Sequence, residues 1–282
     1  MALASAPSEK SSIQPQQSLA PGAVDALSIA TSPATSPAAS LASPAATSHA
    51  TVRVWDWPLR LFHWLLLSAV ATAIATGLAG GDWMAWHGRA GLAIVALLGF
   101  RLVWGLVGST TSRFGHFFPT PARLRVYFSG ARQGVGHNPL GAFSVFALLG
   151  LLALQVTTGL FSNDDIAFAG PLAQLVGEDT VGNLTAWHHR LINVLYGLIG
   201  LHVAAIAFYA VVKRQRLVRP MVTGKKTVEP GAHVPSGTSR ARPGALVVAV
   251  VVAGLLTWAA SGAWISPPPA PPPSTNAPAP AW

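Results

Sequence analysis

The sequence predicts an all-α membrane protein: a bundle of four transmembrane helices with a fifth, C-terminal transmembrane helix beside it. Three observations lead there. Hydrophobic residues make up 51% of the 282 positions and charged residues only 10%, against about 25% charged in soluble domains. The apolar residues gather into five runs, each near the ~20 residues a helix needs to cross about 30 Å of hydrocarbon. The charges between the runs also segregate by side, which encodes orientation in a membrane.

Along the chain, residues 1–50 are mostly Ala, Ser, Pro and Thr and cannot bury enough apolar surface to offset their ordering entropy, so a disordered extension is expected. The stretch lacks the basic start and long apolar core of a signal peptide. Residues 51–220 form the four-helix domain, with spans near 59–79, 87–107, 140–161 and 188–212. A basic linker (221–243) leads to the extra span (244–266, its apolar run 244–265), and residues 267–282 are a Pro-rich tail of polyproline character.

Between the second and third spans lie Arg113, Arg123, Arg125 and Arg132 without an acid. Between the fourth and fifth lie Lys213, Arg214, Arg216, Arg219, Lys225, Lys226, Arg240 and Arg242 against Glu229. The loop between the third and fourth spans carries Asp164, Asp165, Glu178 and Asp179 and no cation. This bias puts the N-terminus and both basic loops in the cytoplasm, and the acidic loop and C-terminus in the periplasm. Tryptophans near span ends (Trp55, Trp57, Trp64, Trp83, Trp86, Trp104, Trp187 and Trp264) fit interfacial belts.

No cysteine is present, which excludes disulfides, cysteine-ligated iron–sulfur or zinc sites, and covalent haem attachment through C-x-x-C-H. The net charge of +9 sits in loops between apolar runs rather than on a basic face with interleaved aromatics, so no nucleic-acid partner is expected.

The fourth span, "WHHRLINVLYGLIGLHVAAIAFYAVVKR", carries three histidines. Fourteen helical steps bring His202 to within roughly 40° of His188 and about 21 Å along the axis, while His189 points about 100° away from His188. His63 opens the first span from the cytoplasmic side and His87 opens the second from the outer side. His188 therefore lies at the depth of His87, and His202 approaches that of His63. Four histidines fall into two layers of two, and two facing imidazoles at one depth are what six-coordinate b-type haem iron requires. The expected pairs are His63/His202 and His87/His188. Zinc would prefer three or four ligands together, and a proton relay would need acids within the spans, which are absent.

Arg101 is the one charge deep in a span. It follows His87 by fourteen residues, so it either reaches the propionate of the inner haem or snorkels to the interface. Arg60 and Arg89 are similar candidates. His49, His116, His137 and His233 read as solvated. Gly77, Gly91, Gly105, Gly159, Gly197 and Gly200 serve close helix packing or clearance for a porphyrin face.

The stretches "VRVWDWPLRLFHWLL", "WHGRAGLAIVALLGFRLVWGLVG", "GHNPLGAFSVFALLGLLALQVTTGLFSNDDI" and "WHHRLINVLYGLIGLHVAA" resemble, in order, the bacterial cytochrome b561 family. That family includes the b-type cytochrome subunit of nickel–iron hydrogenases. The resemblance runs from about Val52 to Arg219, leaving the N-terminal extension and the fifth span outside it. It implies a four-helix core with two non-covalent b haems, whose ligands fall on His63, His87, His188 and His202. It also implies quinone as the mobile carrier.

The expected function is electron transfer across the bacterial inner membrane in a respiratory-type chain, between quinone or quinol and a redox partner. Bis-histidine ligation leaves no open iron position, which favours an electron carrier over a stand-alone oxidoreductase. The partner is a hydrogenase- or dehydrogenase-like subunit, or a periplasmic cytochrome c drawn to the acidic loop. The alternatives are a quinone reductase fed by a small donor such as superoxide, and a haem-free transporter or anchor.

Overall fold

The computed structural model describes residues 50–130, 138–166, 168–228 and 243–266. Residues 1–49, the tail from 267, and His49, His137 and His233 lie outside this set. A short strand, β1 (Ala50–Arg53), precedes α1 (Trp57–Ala79) and α2 (Met84–Val107). Two short helices, α3 (Phe114–Phe117) and α4 (Pro121–Phe128), lead to α5 (Pro139–Leu160) and α6 (Glu178–Val211). The chain then passes through α7 (Val218–Thr223) and β2 (Lys225–Val228) to α8 (Pro243–Ala260). Five helices (α1, α2, α5, α6 and α8) are long and apolar enough to cross a membrane. One end of the bundle collects the basic connections and the other the acidic loop; these are called the basic and acidic ends below.

Local chemistry sets several helix starts. Asp56 caps α1, its Oδ1 accepting from the Leu59 amide at 2.8 Å with Pro58 in the first turn. Asn138 caps α5 through the Gly141 amide at 2.6 Å, followed by Pro139. Helix α6 starts at Glu178, ten residues before the apolar run that marks the span in the sequence. Its first turn holds Glu178 and Asp179, whose charge complements the amino-end dipole. The helix therefore continues, polar, past the hydrocarbon.

At the basic end β1 pairs antiparallel with β2, Arg53 opposite Lys225 and Ala50 opposite Val228. The sequence marks this second strand only as part of a linker. The Val54 and Trp55 amides also donate to the Gly224 carbonyl at 2.8 and 3.2 Å. Gly224 has φ +76°, and a side chain there would strike the Trp55 carbonyl. The segment after α6 is thus stitched to the segment before α1.

Beneath this sheet lies a buried polar node. Asp56 is 2% exposed, and its Oδ2 accepts from Trp104 Nε1 and Ser112 Oγ, each at 3.1 Å. Thr111 Oγ1 donates to the Val54 carbonyl at 2.6 Å, and Ser109 Oγ to Ser112 Oγ at 2.9 Å. The node locks the start of α1 to the end of α2.

Helix α2 is central, packing against α1, α5 and α8, while α6 packs on α5. The added helix α8 lays Ala249, Ala253 and Ala260 inward. A Cβ on Gly99 of α2 would come within 2.7 Å of Leu256, so the bare backbone there lets the two helices close up.

Candidate functional site

The middle of the bundle is an apolar layer of Val70 from α1, Ile94 from α2, Leu151 and Leu152 from α5, and Leu195 from α6. Seven helical residues turn 700°, nearly two full turns, so positions seven apart share a face about 10.5 Å along the axis. Seven residues either way from the middle layer are His63 and Gly77 on α1, His87 and Arg101 on α2, and His188 and His202 on α6. On α5 the same stride from Leu151 gives Ser144 and Thr158. The four helices therefore carry three levels: His63, Arg101, Ser144 and His202 toward the basic end, the apolar layer, and Gly77, His87, Thr158 and His188 toward the acidic end.

At the acidic-end level the His87 and His188 rings stand 6.1 Å apart, centre to centre, with planes at 87°. Nδ1–H of His87 donates to the Ala73 carbonyl at 2.8 Å, and that of His188 to the Gln155 carbonyl at 3.0 Å. A carbonyl can only accept, so in both rings the proton sits on Nδ1; the bare Nε2 of His188 lies 3.2 Å from Gln155 Nε2, which can donate to it. Gln155 is itself buried; its Nε2 donates to the His188 carbonyl at 3.1 Å, while its Oε1 is buried without a hydrogen-bond partner. Thr158 Oγ1 lies 3.3 Å from His188 Nδ1.

Both rings lie against bare backbone. A Cβ on Gly77 would sit 2.9 Å from His87 Nδ1, and one on Gly159 would sit 2.8 Å from His188 Cε1. Neither ring could hold its place beside any residue but glycine. These are two of the six glycines singled out in the sequence; Gly91, Gly197 and Gly200 meet nothing within 4 Å.

At the basic-end level His63 and His202 come within electrostatic reach of each other. His202 Nδ1 lies 3.1 Å from Ser144 Oγ. Nδ1 of His63 is buried with no partner. His189, the other member of the doublet, is exposed on α6.

The arginines divide. Arg101 is 2% exposed; it donates to the Ser112 carbonyl at 3.1 Å and lies 4.4 Å over the Phe114 ring, within reach of the Asp56 charge. It belongs to the polar node. Arg60 donates from Nη1 to the Val222 carbonyl, and its Nε is buried without a partner. Arg89 lies over Trp86 at 4.8 Å, and Arg190 makes the matching contact with Trp187 at 5.5 Å. The stretches WHGR and WHHR thus repeat one local device on α2 and α6. Arg190, Ser144, Gln155 and Thr158 were missed in the sequence; the seven-residue stride along α5 was the available signal for Ser144 and Thr158. Among the described residues no three His, Asp or Glu side chains gather as a metal site.

Only Val181 and Leu195 of the 34 residues of α6 are buried, while His188 and His202 are half-buried. Two metal–imidazole bonds of about 2 Å plus the ring radii would set two ring centres about 6 Å apart, the separation found between His87 and His188. The orphaned Nδ1 on His63 and the glycine-backed rings of His87 and His188 fit a flat, iron-bearing group held between facing imidazoles.

Residues 54–224 match the family model described as prokaryotic cytochrome b561. The chain is 25% identical over 215 residues to a protein of Cupriavidus necator named as a probable Ni/Fe-hydrogenase B-type cytochrome subunit, covering 62% of this chain and 86% of the relative. A protein of the same name from Azotobacter chroococcum is 26% identical over 214 residues, covering 61% and 87%. No solved structure matches. With more than half its length matched, in the segment that holds all four paired histidines, the chain belongs to the prokaryotic cytochrome b561 family and is a multi-pass membrane cytochrome of b type.

Proposed function

We propose that this protein is the electron-carrying membrane subunit of a hydrogenase- or dehydrogenase-like complex. In this reading it holds two b haems, one between His87 and His188 and one between His63 and His202, and connects its partner to the quinone pool. What supports the reading is the two-level histidine arrangement, in which Nδ1–H bonds to main-chain carbonyls fix the tautomer of His87 and His188. The names of the two relatives support the hydrogenase-type partner. When bound, each haem supplies a one-electron ferric–ferrous couple.

The chain does the rest. His87 and His188 are held in one tautomer by the Ala73 and Gln155 carbonyls, so they arrive as oriented neutral donors. The apolar layer of Val70, Ile94, Leu151, Leu152 and Leu195 keeps water from the space between the two levels. Arg60, with its unpartnered Nε, is the better placed of the predicted arginines to meet a carboxylate at the basic-end site. Arg101 contributes positive charge from the node but already has Ser112 and Phe114 around it. The basic end faces the cytoplasm of a bacterial inner membrane, and the acidic loop with the C-terminus faces the periplasm.

The test is a reduced-minus-oxidised spectrum with haem quantification on wild type and on His63→Ala, His87→Ala, His188→Ala, His202→Ala and His189→Ala. Two b haems per chain are expected, with loss of one or both in the first four variants and none in the last. A colourless wild type made with ample haem supply, or loss confined to His189→Ala, would overturn the reading.

A further inference from the structure

The sheet at the basic end sets two cations against each other. In the register of β1 and β2, Arg53 stands opposite Lys225 and Thr51 opposite Thr227, and residues two apart on a strand share a face. One face therefore carries Arg53, Lys225, Thr51 and Thr227, all exposed, while Val52 and Lys226 on the other are half-buried. Every side chain on the outer face can donate a hydrogen bond, and none carries negative charge. Like charges directly opposite one another destabilise a sheet, and two strands of four residues each have little stability to spare. Among the described residues the acid at this end is Asp56, which is buried and already accepts from Leu59, Trp104 and Ser112. Glu229 follows β2 outside the described residues.

The ground beside this face is apolar. Positions 57, 61, 64 and 65 fall on one side of α1, and Trp57, Leu61, Trp64 and Leu65 are all exposed there. Helix α7 is fastened along the same turns: Arg60 donates from Nη1 to the Val222 carbonyl, and Trp64 Nε1 donates to the Met221 carbonyl at 3.3 Å. Gly224, the neighbour of Lys225 in the chain, lies against the Arg60 guanidinium. The cationic face thus stands at the end of an apolar strip bordered by two tryptophans, the residues that settle at headgroup depth. We propose that this is a binding site for one anionic phospholipid of the leaflet at the basic end. Its phosphate sits between Arg53 and Lys225, beside the two threonine hydroxyls, and its acyl chains run along Leu61 and Leu65. The headgroup offsets the repulsion across the sheet and so fastens the segment after α6 to the start of α1. A free phosphate or an acidic protein surface would match the cations but leave the apolar strip unused, which is why a lipid is the better fit.

The purified full chain, stripped of lipid in detergent, tests this by native mass spectrometry and thermal unfolding. Phosphatidylglycerol should bind as a single molecule and raise the unfolding temperature, whereas phosphatidylcholine, inorganic phosphate and glycerol phosphate at equal concentration should not. Arg53→Gln with Lys225→Gln should weaken phosphatidylglycerol binding by about thirtyfold, roughly fivefold for each charge removed, and keep the wild-type visible spectrum. Without lipid the same variant should be at least as stable as wild type, because the opposed charges are gone. Lys213→Gln with Arg216→Gln removes two exposed cations of the same end that lie outside the sheet, and should bind as wild type does. Equal weakening in that control would reduce the site to diffuse charge attraction and overturn the proposal. So would undiminished binding or lower lipid-free stability in the sheet variant, or equal binding of phosphatidylcholine or inorganic phosphate. An oligoglutamate peptide binding in preference to phosphatidylglycerol would overturn it too, and would assign the face to an acidic protein partner.

Discussion

Gly159→Ala is the sharpest test of the acidic-end site. The added methyl would sit 2.8 Å from Cε1 and 3.1 Å from Nδ1 of His188, where ordinary contact begins at 3.4 Å. The ring must therefore move by about 0.6 Å, whereas a metal–ligand distance tolerates about 0.2 Å. The same shift strains the Nδ1 bond to the Gln155 carbonyl. Sterically the cost is small, because a side chain can swing, and alanine in a helix is favoured over glycine by about 1 kcal/mol. The expected result is a protein that folds and inserts normally, with thermal stability in detergent unchanged or slightly raised, but with haem content reduced from two per chain to one. Gly150→Ala is the control, because a Cβ there meets nothing within 4 Å, and should keep both haems. Full haem content with an unaltered spectrum in Gly159→Ala would refute the claim that the bare backbone at Gly159 holds His188 in register.

Two further substitutions probe the scaffold. Asp56→Ala removes the α1 cap, leaves Trp104 Nε1–H and the Ser112 hydroxyl proton without their acceptor, and takes the neighbouring carboxylate from buried Arg101. A loss of about 3–5 kcal/mol is expected in thermal or denaturant unfolding, with Asp56→Asn intermediate because it keeps the cap oxygen; a change below about 1 kcal/mol would show that the node is not structural. Leu195→Ala opens a cavity in the apolar layer and should cost about 2–5 kcal/mol. Both haems should remain, since Leu195 lies two turns from each histidine level, and a haem-free Leu195→Ala protein that is otherwise folded would contradict the three-level arrangement.

The sequence by itself determined the five spans, their charge bias and the fourteen-residue interval between His188 and His202. These are properties of single segments: hydropathy follows composition, and the helical phase of two residues follows from their separation alone. That is also why His188 could be preferred over exposed His189 without coordinates. Only the tertiary structure decided what surrounds each ring. The sequence leaves Gly77 and Gly159 open between helix packing and clearance for a porphyrin face; α1 and α5 bring them flat against histidines from α2 and α6. Arg101 shares the phase of His87, yet its guanidinium is turned into a node built by Asp56, Ser112 and Phe114. The pairing of β1 with β2 joins segments some 170 residues apart that carry no strong strand pattern of their own. In each case the deciding quantity is the rotation and offset of one helix or segment against another, which depends on side-chain volumes and hydrogen bonds across the interface rather than on any local period in the chain.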